Sequence, residues 1–195
     1  MQVVITGGPS VGKTTLFNML KASGFIGIDE IAAQVIKEGK VPAPWIDREA
    51  FQQEVFQRQL LSEEQTLNSQ SICFLDRGAF DGAAYYICDG LPVPTAFDTI
   101  DGSRYSLVFL LEELPVFEED GVRFENLEFT QRITPVLEQC YSNRGVQVIR
   151  VPCLPPDERL SFVLDKVGLG CWTSIFYSLR QKAETQVCSR PGQQL

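Results

Sequence analysis

The sequence predicts an α/β fold in which helices alternate with the parallel strands of one sheet. Short apolar runs alternate with helical patterns along the chain, which is typical of this class. The first run passes directly into a glycine-rich turn and then a helix. No apolar stretch approaches the roughly 18 residues of a membrane span. With right-handed crossovers, the carboxyl ends of the strands meet at one edge of the sheet, where ligands bind.

The first turn carries a nucleotide-binding motif. The β-branched residues 3–5 predict a strand buried on both faces, and residues 7–14 satisfy G-x-x-x-x-G-K-[ST] at every position. Lys13, in a solvent-accessible loop, is expected to reach the β- and γ-phosphates, and the Thr14 hydroxyl to bind Mg²⁺. The alternative is a glycine-rich surface turn that matches the motif by chance, but the strand and helix that flank it favour a P-loop. The expected phosphate ligands are Gly7, Gly8, Pro9, Ser10, Val11, Gly12, Lys13, Thr14 and Thr15.

Composition restricts the possible functions. A length of 195 residues suits one globular domain, and a formal charge of −8 argues against general affinity for nucleic acid or anionic membranes. Histidine is absent from the sequence, so a general base must be a carboxylate. The six cysteines contain no C-x-x-C pair, which favours free thiols over a zinc site or a disulfide framework. Because no basic leader precedes the first strand, a cytoplasmic protein is expected.

The remaining elements can be placed from their hydrophobic periodicity. Strands are expected at residues 25–28, 71–75, 107–111 and 146–151, and helices at 31–37, 47–67, 80–88, 129–141 and 160–167. The apolar stripe of the helix at 47–67 comprises Phe51, Val55, Gln59, Leu60 and Leu61. Pro135 predicts a kink or a restart in its helix. Residues 112–126 are expected to be a mobile surface segment. One domain at 1–168 is expected, followed by a partly helical or disordered tail at 169–195.

Asp76 and Arg77 follow the predicted strand at 71–75. P-loop proteins hold the acid that supports Mg²⁺ at this place, although Asp76 could also only cap the next turn. Arg77 could clamp a phosphate or a substrate carboxylate, or it could pair with Asp81. These two residues are therefore candidates for metal and phosphate binding.

Further candidates lie near the second strand and in two loops. Asp29 and Glu30 could orient an attacking hydroxyl or take its proton, although Glu30 could also only be a first-turn acid of the next helix. Arg123 lies in the polar segment, where it could stabilise charge on the transferred phosphoryl group or remain a solvated surface residue. Trp45 could stack on a base, but a packed aromatic side chain is favoured.

Together these motifs resemble a known family. The chain is similar to the AAA-domain family of P-loop proteins that includes the ribosylnicotinamide kinase domain of bacterial NAD regulators and many predicted bacterial ATPases. The resemblance rests on V-V-I-T-G-G-P-S-V-G-K-T-T-L at 3–16, Glu30, F-L-D-R-G-A-F-D at 74–81 and V-P-C-L-P-P-D-E-R-L-S-F-V-L at 151–164. It covers about residues 1–168. Family members often carry an arginine three residues after the acid, where this chain has Ala33.

The resemblance implies a P-loop NTPase fold of the kinase type, with a five-stranded parallel sheet in the order 2-3-1-4-5, flanking helices and a lid. It implies ATP (or GTP) and Mg²⁺ as ligands, and it assigns the acid associated with Mg²⁺ to Asp76. Phosphate binding is assigned to Gly12, Lys13, Thr14 and Thr15. The resemblance also suggests that residues 151–154, with Pro152 and Leu154 among them, line the adenine pocket and that Arg123 belongs to the lid.

Two functions are compatible with these features. The first is an ATP- and Mg²⁺-dependent kinase that phosphorylates a hydroxyl of a nucleoside-like small molecule. The second is a nucleotide-binding regulator or slow NTPase without a small acceptor; a eukaryotic relative in this group binds GTP and phosphoinositides. The guanine-specific pattern N-K-x-D is absent from the sequence, which favours ATP. A pocket beside Asp29 and Glu30 favours the kinase, whereas a filled site favours the regulator.

Overall fold

The fold, taken from a computed structural model that describes residues 1–114 and 127–170, has one parallel sheet. Its strand order is β2-β3-β1-β4-β5, which confirms the order implied by the resemblance. The strands are β1 (Gln2–Thr6), β2 (Ile26–Ile28), β3 (Cys73–Asp76), β4 (Tyr105–Leu111) and β5 (Val148–Val151). The helices are α1 (Lys13–Ala22), α2 (Ile31–Glu38), α3 (Arg48–Thr66), α4 (Ala79–Cys88), α5 (Leu127–Ser142) and α6 (Pro156–Lys166).

Strand β1 lies at the centre of the sheet and is covered on both faces. Val3 and Ile5 pack against α1 and α6, whereas Val4 packs on the opposite face with side chains from α3, α4 and α5. All three side chains are fully buried. The alternation follows from the two-residue period of a strand. The loop that follows β1 therefore emerges from the centre of the sheet.

The strand order divides the ligand-binding edge into two sides. Because β1 pairs with β3 on one side and with β4 on the other, the loop after β1 lies between them. Helices α2, α3 and α4 follow β2 and β3 in the chain, and they occupy the first side. The ends of β4 and β5 form the second side.

The buried side of α3 differs from the predicted apolar stripe. Its buried residues are Phe51, Gln52, Phe56, Gln59 and Glu63. Leu61 is 61% exposed, so its placement in the stripe is wrong. Three of the five buried residues are polar because this face borders a cavity and a buried hydrogen-bond network. Hydrophobic periodicity therefore places Phe51 and Gln59 correctly but misses the buried Gln52 and Glu63.

Helix α5 runs without interruption through Pro135. The expectation of a restart is therefore wrong. Proline removes one backbone donor from the helix, but its neighbours Ile133 and Leu137 are fully buried and hold the helix on both sides of it. The Thr134 hydroxyl also donates to the Thr130 carbonyl at 2.8 Å.

Several expectations concern residues outside the described ranges. These include Arg123, most of the segment expected at 112–126, and residues 171–195 of the tail. Within the described ranges, Cys73, Cys88, Cys140 and Cys153 are free thiols. Burial raises the pKa of the Cys140 thiol to about 11. No helix among the described residues has the length and apolar character needed to cross a bilayer.

Candidate active site

The loop between β1 and α1 has the geometry of an anion site. Gly12 caps α1 with φ at +88°, a left-handed conformation that glycine adopts without strain. No side chain in the described ranges caps this helix, and its first turn contains no acidic residue. The backbone N–H groups and the positive end of the helix dipole therefore face the loop without a competing carboxylate.

Lys13 is buried in this conformation rather than exposed. Its side chain is 2% exposed, and Nζ donates to the Gly8 carbonyl at 2.5 Å. The expectation of a solvent-accessible position for Lys13 is therefore wrong, because the side chain folds back onto the loop and is buried there.

Thr14 lies in the first turn of α1, and Asp76 lies at the carboxyl end of β3. Asp76 is the last residue of β3, is 4% exposed and pairs in register with Ile5 of β1. Thr14 and Thr15 are both exposed, and Thr14 also borders the cavity described below. The sheet thus places a carboxylate on the strand beside the one that leads into the loop.

Arg159 of α6 holds the other side of the loop. It is 3% exposed, and its guanidinium donates to the Val11 carbonyl at 2.6 Å and to the Glu112 carbonyl at 3.3 Å. Burial lowers the pKa of this guanidinium from its ordinary value. Pro152 and Leu154 are half-buried in the connection from β5 to α6, on the same side as Arg159 and away from the cavity.

Arg77 is fixed between the P-loop and the start of α2. Its Nε donates to Glu30 Oε1 at 2.9 Å, and its Nη1 donates to Asp81 Oδ1 and the Gly7 carbonyl, both at 3.2 Å. Burial by itself lowers the pKa of Arg77, but Tyr85 and the two carboxylates outweigh it and raise the pKa well above its ordinary value. The expected pairing with Asp81 is present, and Glu30 is a second partner.

Glu30 and Asp29 point in different directions. The Glu30 side chain is 13% exposed and lines a cavity next to the P-loop. Asp29 pairs with Lys21 at 2.7 Å, and its side chain is 56% exposed. The structure therefore brings Glu30, but not Asp29, to the cavity.

The cavity has a volume of about 390 Å³ and lies between α2, α3, α4 and the P-loop. Its apolar wall includes the aromatic side chains of Trp45, Phe51, Phe56 and Tyr85. Trp45 is 55% exposed, so the packed interpretation of this residue is wrong. A cavity of this size and composition suits a small organic molecule with a planar group. Thr14 at its border connects it with the phosphate loop.

Asp81 organises the end of β3, a role that the sequence did not indicate. Its carboxylate accepts hydrogen bonds from the hydroxyls of Thr6 and Tyr141, both at 2.5 Å, from Gly78 N at 3.1 Å and from Arg77. Burial and this carboxylate raise the pKa of Tyr141 well above its ordinary value. The sequence signals were its spacing of four residues from Arg77 and its place at the end of F-L-D-R-G-A-F-D.

A second buried carboxylate, Glu63, supports the same turn from α3. Glu63 Oε1 accepts from Ala79 N and from Gln59 Nε2, both at 2.9 Å. Its Oε2 accepts from the Tyr105 hydroxyl at 2.7 Å and pairs with Arg104 at 3.3 Å. These contacts connect α3, α4 and β4. No sequence signal distinguished this glutamate from its exposed neighbours on the helix.

Gln59 extends this network to Arg77. Its Nε2 also donates to the Arg77 carbonyl at 3.0 Å. Arg77 has φ at +73°, in a region that non-glycine residues rarely adopt. The network thus stabilises the strained backbone that directs the Arg77 side chain towards Glu30.

The Glu63→Ala variant is expected to be less stable than the wild type by about 3–5 kcal/mol, because it leaves buried donors and Arg104 without their carboxylate. Burial raises the pKa of Glu63 above its ordinary 4.5, although the hydrogen bonds to Tyr105 and Gln59 oppose this. The folded state therefore retains the proton longer than the unfolded state, and the wild type loses stability as pH rises above 4.5.

Denaturant unfolding at several pH values measures both effects. The difference in the free energy of unfolding between wild type and Glu63→Ala should narrow as pH rises above 4.5. Glu64→Ala, on the exposed side of the same helix, is the matched control and should stay within about 0.5 kcal/mol of wild type. Equal stabilities for the two variants would contradict the role given to Glu63.

Comparisons with known proteins agree with this architecture. The family model described as AAA domain matches residues 2–159. No curated protein matches the sequence. Among solved structures, deoxyadenosine kinase from M. mycoides, with dCMP and a flexible dCDP bound, has a TM-score of 0.58 at 14% identity. That match covers 86% of this chain and 99% of the kinase.

Two further solved structures share the fold. The NadR protein in complex with NR has a TM-score of 0.56 at 19% identity, over 77% of this chain and 43% of NadR. Shikimate kinase from Aquifex aeolicus has a TM-score of 0.51 at 16% identity, over 86% of this chain and 96% of the kinase. These TM-scores show a common P-loop kinase fold, and at such low identities they show the fold alone.

Proposed function

The chain belongs to the AAA domain family, and from this premise we propose that it is an ATP- and Mg²⁺-dependent phosphotransferase acting on a hydroxyl of a nucleoside-like small molecule. The observation that carries the proposal is the cavity beside the P-loop, with Glu30 in its wall and Thr14 at its border. A nucleotide-binding regulator has no evident use for such a cavity. A phosphotransferase needs a nucleotide site and an acceptor site, and the two must meet where the phosphoryl group is transferred.

The nucleotide occupies the P-loop in this proposal. Lys13 and the N–H groups at the start of α1 contact the phosphates, and Thr15 supplies a further hydroxyl. The adenine lies on the side of β4 and β5, near Pro152 and Leu154. This arrangement leaves the cavity on the opposite side of the loop for the acceptor.

Mg²⁺ fits the oxygen donors at this place. The Thr14 hydroxyl and the Asp76 carboxylate are hard oxygen ligands, which Mg²⁺ prefers. No cluster of three metal-binding side chains exists among the described residues, so the protein alone offers no complete cage. Mg²⁺ commonly binds through one or two side chains together with phosphate and water oxygens. When bound, it neutralises charge that develops on the phosphates.

The proposed reaction uses Glu30 as the base. An acceptor hydroxyl in the cavity gives its proton to the Glu30 carboxylate while its oxygen bonds to the γ-phosphorus of ATP. The bond from that phosphorus to the β-phosphate oxygen breaks, and ADP leaves. Arg77 holds the Glu30 carboxylate in place through its Nε donor and lies close enough to the loop to contact a phosphate.

A scan of acceptors for stimulated ADP release tests the proposal. Purified protein with MgATP is offered nucleosides and, as a non-heterocyclic hydroxyl compound, shikimate, with parallel reactions in MgGTP. Stimulation by one acceptor, together with a phosphorylated product in mass spectra, is expected. If no acceptor raises the rate above basal hydrolysis, the phosphotransferase assignment is wrong and a regulator or slow NTPase accounts better for the site.

The nucleotide half is tested separately by Lys13→Met, which keeps the buried aliphatic stem and removes the charge. Loss of charge-assisted contacts to phosphate is expected to weaken ATP binding by about 10²-fold. Calorimetric titration of the folded variant with a non-hydrolysable ATP analogue measures this. Lys21→Met, on the exposed side of the same helix, is the control and should bind as wild type. If Lys13→Met binds the ATP analogue as tightly as the wild type, the assignment of the P-loop as the phosphate site is wrong.

A further inference from the structure

One glutamine in the cavity wall, Gln52, takes no part in the hydrogen-bond networks described above. Gln52 of α3 is 4% exposed and lines the cavity. Its side-chain amide makes no hydrogen bond to any residue in the ranges 1–114 and 127–170. Gln59, two turns further along the helix, also lines the cavity, but its amide is engaged by Glu63 and the Arg77 carbonyl. The Gln52 amide is accessible from the cavity, so a ligand that fills the cavity must either complete the hydrogen bonds of Gln52 or leave them unsatisfied at a cost.

The charged groups in the cavity wall already have partners. Arg77 is held by Glu30 and Asp81. Arg48, at the outer part of the cavity, pairs with Asp89 at 3.1 Å. Recognition deep in the cavity therefore depends on aromatic surfaces and on a neutral amide. This combination selects planar, uncharged polar groups over phosphates or carboxylates.

We propose that Gln52 determines acceptor specificity by pairing with an amide-type edge, in which a hydrogen-bond donor lies beside an acceptor on a planar group. The inference rests on the proposed function and names its substrate class. A glutamine amide offers one carbonyl and one N–H₂ group in a plane, and it can engage such an edge with two hydrogen bonds. The edge can belong to a nucleobase or to a carboxamide on a ring.

Matched pairs of acceptors test this pairing and distinguish the two sources. Adenosine is compared with purine riboside, which lacks the exocyclic amine, and nicotinamide riboside with pyridine riboside, which lacks the carboxamide. For the pair that matches the natural acceptor, the wild type should prefer the edge-bearing compound by about 10- to 100-fold in binding and in kcat/KM. Gln52→Leu should reduce this preference to within about threefold while leaving ATP affinity unchanged.

Two further variants make the test specific. Gln52→Met retains the length of the side chain without the amide, and it replaces Gln52→Leu if that variant does not fold. Gln53→Leu makes the same change on the exposed side of α3 and should retain the wild-type preference. Binding to each riboside is also measured by calorimetry, which does not depend on turnover.

The inference is overturned if the wild type prefers neither acceptor within either pair. It is also overturned if Gln52→Leu weakens the binding of both acceptors of a pair equally. Equal weakening would mean that Gln52 only shapes the cavity. Phosphorylation of shikimate but of no riboside would leave the phosphotransferase assignment intact and would contradict the role of Gln52. If no acceptor stimulates ADP release, both proposals are overturned.

Discussion

The Glu30→Gln variant is expected to lose acceptor phosphorylation by about 10²–10⁴-fold, the usual contribution of a general base. The amide oxygen of glutamine can still accept the hydrogen bond from Arg77 Nε, so the local structure should persist. What the change removes is the ability to take a proton from the acceptor hydroxyl. Basal ATP hydrolysis and ATP affinity should remain near wild type, because Lys13, Thr14 and Asp76 are unaltered.

A coupled ADP assay at saturating ATP and acceptor measures this loss. Asp29→Asn is the neighbouring control, since Asp29 contacts Lys21 at the surface and does not line the cavity. Its turnover should stay within about twofold of wild type, as for other surface substitutions. Equal losses in both variants would show that the two acids act together, against the separation seen in the structure. Full activity in Glu30→Gln would exclude Glu30 as the base.

The Asp76→Asn variant is expected to reduce turnover by about 10²–10³-fold, the scale found when one group that stabilises transition-state charge is removed. Asparagine keeps the shape of the buried side chain at the end of β3 and removes the charge that supports Mg²⁺. Turnover should fall by more than nucleotide affinity, because the metal acts chiefly on charge that develops during transfer.

Titration of activity with Mg²⁺ distinguishes a metal ligand from a structural cap. The Mg²⁺ concentration at half-maximal rate should rise in Asp76→Asn. Asp98→Asn makes the same change at the surface, where Asp98 pairs with Arg144, and its Mg²⁺ dependence should match wild type. If Asp76→Asn reaches wild-type turnover at saturating Mg²⁺, Asp76 serves only to cap the turn after β3.

The strands and the P-loop could be predicted because their signals lie in contiguous residues. The β-branched run before Gly7 is buried on both faces because β1 is the central strand of the sheet. Asp47 caps α3 by accepting a hydrogen bond from Ala50 N, as its residue type indicated. Turns, helix caps and strand propensity depend on the types of adjacent residues, so a sequence reports them directly.

The inner face of α3 could not be predicted in the same way. Periodicity placed Phe51 and Gln59 correctly on the buried side, but it also assigned Leu61 to that side and omitted Glu63, which is fully buried. Burial of a carboxylate depends on the donors that surround it, and here they come from α4 and β4. Since these donors lie in other elements, helical periodicity contains no information about them.

The sequence by itself determined the parallel α/β class, the phosphate loop and the acids at the strand ends. Only the tertiary structure decided which of these side chains share a site. Glu30 meets Arg77 across 47 positions of the chain, and Arg159 meets Val11 across 148, whereas Asp29, adjacent to Glu30, turns to the surface. The direction of a side chain is set by the elements packed around it. Neighbours in the sequence can therefore face opposite sides of the same helix start.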